Sequence, residues 1–210
     1  MKLTDLVLSE QQQFLTDEDD IWEWLRVYCE ILTPFNSRID ILKDGTVNCD
    51  RSITIHKPVD YIKVKFGEVE NYFNADKARL KSLKGSPTEI VNIHNKSWIC
   101  YGSEGELTSF EGITKDVHEV SFLRCNGLTS LKDIDKHAVC TQLFIPPSIK
   151  SHLLSAMKIP NIKSISTEQS RKFGDIYEAL KIIKPFIGHG NAGILDAQTA
   201  LIDADLEHLS

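Results

Sequence analysis

The period of the apolar positions changes twice along the chain and divides it into three segments. Residues 1–36 carry helical spacing, and the acidic run 17–20 precedes its most regular part, where carboxylates favour the start of a helix. Residues 37–168 carry short alternating runs that are typical of half-buried strands. Residues 169–210 return to helical spacing. The pattern therefore predicts an N-terminal helical segment, a strand-rich middle and a C-terminal helical segment in one compact folding unit.

An internal repeat lies within the strand-rich segment. The motif L-[KT]-S-[LF]-x-[GD] begins at Leu80, Leu107 and Leu128, so that successive copies start 27 and 21 residues apart. Each copy follows an apolar strand candidate; these candidates are 69–75, 98–100 and 120–125. A period in the twenties, with one strand and one return segment in each coil, is typical of leucine-rich repeats. The longer first interval predicts an insertion, which we place at residues 95–106.

Equivalent leucines of stacked coils form a shared core, because one short coil cannot bury its own apolar face. The core residues predicted from the motif are Leu80, Leu83, Leu107, Phe110, Leu128 and Leu131. Gly85 and Gly112 are expected where the chain turns back. The open ends of a stack need caps, and the helical segments 1–36 and 169–210 are the candidates. The predicted fold class is α+β: a short, irregular leucine-rich-repeat-like β-solenoid, capped by N-terminal and C-terminal helices.

Composition narrows the range of partners. The net charge of −6 makes nucleic acid an unlikely ligand. No stretch approaches about 18 uninterrupted apolar residues, so we expect no membrane span. The N-terminal segment lacks a signal-peptide pattern, and the five cysteines include no CxxC pair. These features favour a cytoplasmic protein with reduced thiols.

The sequence offers little support for a reactive site. Three cysteines end strand candidates, where cysteine packs as a small hydrophobe; they are Cys49, Cys100 and Cys125. The histidines lack the spacing of a helical metal site. Cys140 with His137 or His152 is the nucleophilic pair that remains as an alternative. We predict no cofactor, no metal and no catalytic residue.

Two features are candidates for contact with a partner. Cations recur between residues 57 and 84, and on alternating positions they would line one outer face of the first coils. From this set, Lys63, Lys65 and Lys81 are predicted to contact an acidic partner. The second feature is the predicted insertion, which holds Trp98 and Tyr101. Trp98 is expected in the core, and Tyr101 is expected to be an exposed contact.

Further positions around the repeats fit one longer pattern: a strand ending in F-x-C, then N-x-L-T-S-L-x-G-x-P, then a valine that opens the next strand. Cys125, Asn126 and residues 128–131 fit it most completely, whereas Ala75 and Ala78 depart from its cysteine and asparagine. In this pattern the chain resembles the small leucine-rich-repeat-like proteins of tailed bacteriophages and bacteria. The resemblance covers most of the chain and implies a phage or bacterial cytoplasmic origin with a binding role. It supplies no catalytic motif.

The function predicted from these features is a non-enzymatic protein–protein interaction module. We expect it to be phage-encoded and to bind a host factor, such as a defence protein, which it blocks or diverts. One alternative is a self-assembling structural or virion-associated protein, because exposed strand edges can pair with another copy. A second alternative is a hydrolase or nuclease with a dispersed site.

Overall fold

A computed structural model describes residues 13–31, 38–91, 97–103, 107, 109–167 and 174–210. The helices in these ranges are α1 (Glu18–Tyr28), α2 (Ile134–His137), α3 (Leu153–Met157), α4 (Asp175–Ile183) and α5 (Gly190–Asp203), with 3-10 turns at Lys184–Phe186 and Glu207–Leu209. The strands are β1 (Cys29–Ile31), β2 (Ile39–Ile41), β3 (Thr46–Cys49), β4 (Ile53–Ile55), β5 (Lys65–Glu70), β6 (Tyr72–Ala75), β7 (Glu89–Val91), β8 (Trp98–Ser103), β9 (Val117–Cys125), β10 (Cys140–Phe144) and β11 (Ser164–Ser166).

The strands form two sheets that the chain visits in turn. The large sheet has the order β1-β4-β6-β8-β9-β10-β11, and the small sheet has the order β2-β3-β5-β7. Neighbours are parallel except for the first pair of each sheet, β1–β4 and β2–β3. From β3 to β8 the chain passes once through each sheet in every circuit. The result is a β-solenoid of about five turns in a mixed α+β fold.

One ladder of apolar side chains runs through the parallel strands of the large sheet. Its members, each the register partner of the next, are Ile53, Phe73, Ile99, Val120, Leu143 and Ile165. Successive members are 20, 26, 21, 23 and 22 residues apart, which is the length of each coil. All six are buried, with at most 7% of any side chain exposed. Stacking therefore provides the burial that a single coil lacks.

The repeat motif folds into the same turn in all three copies. Its sixth residue has a left-handed backbone each time, with φ of 91° at Gly85, 92° at Gly112 and 64° at Asp133. The carbonyl of the fourth residue accepts a hydrogen bond from the N–H three positions later; the donor–acceptor pairs are Ser86–Leu83, Ile113–Phe110 and Ile134–Leu131, each at 3.1 Å. The expected turn positions at Gly85 and Gly112 are thus seen, and aspartate takes this position in the third copy.

The motif serines and leucines also have one role in every copy. Each serine hydroxyl accepts from the N–H two residues later, a local turn that serine often makes; the pairs are Lys84–Ser82, Glu111–Ser109 and Lys132–Ser130. The six residues named from the motif as core all lie buried in the interior: Leu80, Leu83, Leu107, Phe110, Leu128 and Leu131.

Two sequence expectations need correction. Helical structure does not extend through the predicted segment 1–36: helix α1 ends at Tyr28, because Cys29–Ile31 continues as a strand antiparallel to β4. The described part of the predicted insertion is not an addition to the coil, since the strand predicted at 98–100 is confirmed and extends to Ser103 as β8 in the middle of the large sheet. The rest of that insertion lies outside the described residues, as do parts of the predicted terminal segments, 1–12, 32–37 and 168–173.

The terminal helices bury one face each. Asp17 begins α1, and its carboxylate accepts from the N–H groups of Asp19 and Asp20 at 3.0 and 3.2 Å. At the other end, α5 packs against both α4 and α3. No helix in the described ranges has the length and apolar character needed to cross a membrane.

Replacing Gly112 with alanine should destabilise the protein more than replacing Gly190. Both glycines have positive φ, which costs an alanine about 1–2 kcal/mol. At Gly112 the new Cβ would also lie 2.7 Å from the backbone of Leu83, whereas nothing lies within 4 Å at Gly190. Urea denaturation should therefore show that Gly112→Ala lowers the free energy of unfolding by about 2 kcal/mol or more, and that Gly190→Ala lowers it by less. Equal losses would contradict the tight stacking of this turn on the preceding coil.

Candidate protein-binding face

The outward positions of the large sheet form two rows, because side chains alternate between the two faces of a strand. The first row comprises Tyr72, Trp98, Glu119, Gln142 and Ser164. The second row comprises Thr54, Asn74, Cys100, Ser121, Phe144 and Ser166. We call these two rows the outer sheet face. The buried ladder behind them fixes their register and spacing.

Two aromatic rings stack on this face. Tyr72 and Trp98 are register partners on neighbouring strands, and their ring centroids are 4.3 Å apart with planes inclined by 12°. Both side chains are only half-buried. A stacked pair held by two paired strands presents a rigid apolar surface to a partner at little entropic cost.

The structure reverses the expectation for the two aromatic residues of β8. Ile99 points inward on the ladder, so Trp98 points outward and Tyr101 inward. Tyr101 is fully buried, lies 5.4 Å from the ring of Phe122, and its hydroxyl accepts from the N–H of Thr114 at 3.3 Å. Burial raises the pKa of Tyr101. The prediction of Tyr101 as an exposed contact is therefore wrong; period-two alternation around Ile99 was the signal that could have corrected it.

Glu119 lies on the same row as the aromatic pair. It is the register partner of Trp98 on one side and of Gln142 on the other. Burial raises the pKa of this half-buried carboxyl, and the nearby His118 acts in the opposite direction. A carboxylate that is partly desolvated on a binding face gains from hydrogen-bond donors of a partner. Sequence analysis missed Glu119, because only the coil register places it beside Trp98.

Two of the three lysines predicted to contact a partner form ion pairs with aspartates about one coil away. Lys65 lies 3.2 Å from Asp44, and Lys81 lies 2.6 Å from Asp60. Each pair spans 21 residues, about one coil. The hydrogen bond from Lys81 to Asp60 raises the lysine pKa. Lys63 lies 6.0 Å from the centroid of the Tyr61 ring. Contact of these three lysines with a partner stays a prediction, although aspartates balance two of the charges.

The cysteine thiols are all free, and burial raises the pKa of each. The pKa of Cys100 is about 11 and that of Cys140 about 12, so neither is a ready nucleophile at neutral pH. The Nδ1 atom of His152 lies 2.9 Å from the hydroxyls of Ser130 and Ser151. Among the described residues, no three His, Cys, Asp or Glu side chains are grouped as a metal ion requires.

Comparison of the chain with family models, with curated proteins and with solved structures returned no match.

Glu119→Gln should raise the melting temperature at pH 7. The folded state raises the pKa of Glu119, so its charged form opposes folding once the pH exceeds that pKa. Below the usual glutamate pKa, the Glu119 carboxyl is protonated in both the folded and the unfolded state, so the cost of burying its charge is absent. The difference in melting temperature between the variant and the parent should therefore shrink as the pH falls to about 4. Glu23→Gln, at an exposed position on α1, is the control. A difference in melting temperature between the variant and the parent that does not change with pH would contradict the conclusion that the charge of Glu119 opposes folding.

Proposed function

We propose that the protein is a non-enzymatic binding module that holds a partner protein on its outer sheet face. The observation that carries the proposal is the stack of Tyr72 on Trp98, exposed in part and fixed by the register of β6 and β8. Tryptophan and tyrosine are enriched among the residues that dominate binding energy at protein interfaces.

Polar neighbours of the stack suit the same role. Glu119 and Gln142 continue its row toward β10 and can fix the orientation of a partner by hydrogen bonds. Phe144 adds a further half-buried aromatic side chain on the second row. An apolar anchor beside polar positions is the usual anatomy of a protein interface.

We further propose that the coils are of the leucine-rich-repeat type and that the terminal helices cap the stack. The shared turn of the three motif copies supports the repeat type. Capping is supported at the N-terminal side by Trp24 of α1, whose ring lies 6.4 Å from that of Phe66. At the C-terminal side, α5 packs through Ala197 and Leu201 while its acidic side chains face solvent. Caps of a solenoid require polar outer faces, and the acidic residues of α5 provide one except at the exposed Leu195 and Ile202.

The source and target belong to the same proposal. The similarity of the repeat motif to phage and bacterial proteins supports a phage-encoded protein that acts in the host cytoplasm. Its partner would be a host factor, such as a defence protein, which it blocks or diverts by occlusion. Lys63, Lys65 and Lys81 provide a second surface that the partner could contact.

Trp98→Ala should reduce recovery of the partner in affinity purification of the tagged protein from a bacterial lysate. Truncation of an interface anchor costs about 2 kcal/mol or more, which corresponds to about a thirtyfold loss of affinity. Trp22→Ala is the matched control, because Trp22 is an exposed tryptophan on α1 and does not belong to the outer sheet face. Both variants should keep the circular dichroism spectrum of the parent.

Two other outcomes would favour a different binding surface or self-association. Loss of the partner in a Lys63→Ala, Lys65→Ala, Lys81→Ala variant, with no effect of Trp98→Ala, would place the contact on the lysines. Recovery of the protein alone, even from infected cells, would favour self-association. Helix α5 offers a surface for that alternative, since Leu195 and Ile202 lie seven residues apart and are both more than half exposed.

A further inference from the structure

The small sheet stops before the large one does. Strand β7 is the last strand of the small sheet within the described residues, whereas β9, β10 and β11 extend the large sheet by three further strands. The later coils begin near 116–118, 139–141 and Asn161, beside the open edge of β7. These residues and β7 line a cleft of about 530 Å³, which we call the edge cleft. It occupies the place that the next strand of the small sheet would take.

The backbone of β7 is oriented to receive such a strand. The Val91 carbonyl accepts from the N–H of Asn71 at 2.9 Å, so the polar backbone groups of Val91 face β5. Because these groups alternate in direction along a parallel strand, those of Ile90 point the other way, into the edge cleft. The side chain of Ile90 is buried, and that of Val91 is exposed at the mouth of the cleft. An open edge of this kind is a template for another strand.

The edge cleft is acidic. Glu89 on β7 is the register partner of Glu68 on β5, so that two exposed like charges lie directly opposite each other, which is unfavourable for the sheet alone. Asp116 lies on the other side of the cleft, next to Val117 and His118. Within the part of the chain that the structure describes, Glu68, Glu89 and Asp116 form no ion pair.

The acidic surface continues past Val91 into a neighbouring groove on the small sheet. Four carboxylates line that groove: Asp40, Asp50, Glu68 and Glu70. Two of these carboxylates have an arginine partner, because Arg38 of the groove lies 2.9 Å from Asp40 and Arg51, outside its lining, lies 3.8 Å from Glu70. The charge at this edge is therefore complementary to a cationic ligand.

We propose that the edge cleft binds an extended, basic segment of another protein, which adds a strand to the small sheet beside β7. Backbone hydrogen bonds to Ile90 would provide affinity, and Glu89 with Asp116 would select cationic side chains. A second copy of this chain is a poorer occupant, since pairing of the same edges would bring together two acidic edges, each with an exposed Glu89. The added strand would pair with β7 of the small sheet, whereas the proposed docking uses the outer sheet face of the large sheet, so the two proposals assign binding to different strands.

The test uses the full-length protein and a fluorescein-labelled peptide of alternating lysine and valine, about six residues long like an average strand. Fluorescence anisotropy should show binding that weakens with added salt. Glu89→Lys should weaken it by about tenfold or more. The same substitution should not lower the melting temperature, because the introduced lysine would face Glu68, so the loss of binding is separated from loss of the fold. Asp203→Lys, an equal charge change on α5, should leave the affinity unchanged.

A second peptide separates strand addition from simple charge attraction. Methylation of every backbone nitrogen keeps the lysines but blocks both edges of the peptide, and this peptide should not bind. Equal binding of both peptides, an equal effect of Asp203→Lys, or no binding of the parent peptide would overturn the proposal. A dimer that Glu89→Lys dissociates would overturn it too, by showing that the edge pairs with a second copy. None of these results alters recovery of a partner that depends on Trp98, so the two proposals fail separately.

Discussion

The stacking of inward side chains from coil to coil is the interaction on which the rest of this structure depends. Phe73, Ile99, Val120 and Leu143 each have apolar neighbours in the coils before and after, and together they exclude water from the interior. A slip of one residue in any strand would turn these side chains outward. The buried ladder therefore fixes the register of the parallel sheet, and the register in turn decides which residues reach the surface.

The surface chemistry follows from that register. Outward positions of the large sheet bring Tyr72 against Trp98, with Glu119 beside them, although these residues are far apart in the sequence. Opposite charges about one coil apart form ion pairs between neighbouring coils, as Lys65 does with Asp44 and Lys81 with Asp60. The pairing of Glu68 with Glu89 departs from this rule at the open edge of the small sheet. Because Glu68 and Glu89 repel each other at the edge of the small sheet, these charges fit a binding surface better than a role in stabilising the fold.

The features that could be predicted from the sequence are those with local causes. The motif turn needs a left-handed residue and apolar side chains at fixed offsets, so Gly85, Gly112 and the motif leucines were placed without knowledge of the fold. The strand at 98–100 was predicted, but the directions of Trp98 and Tyr101 were not, because the uneven spacing of the repeats suggested an insertion there and hid the alternation around Ile99. The pairing of β1 with β4, the end of the small sheet at β7 and the position of Glu119 depend on contacts between distant residues. No local pattern contains them.

Hydrogen exchange of a Val120→Ala variant tests the stacked ladder most directly. Val120 lies in the middle of the ladder, between Ile99 and Leu143. In a solenoid each coil is stabilised chiefly by its neighbours. The account predicts that exchange will quicken in β8, β9 and β10, less in β4 and least in α1. Equal acceleration in every segment, or a change confined to β9, would contradict the claim that contacts between adjacent coils hold this protein together.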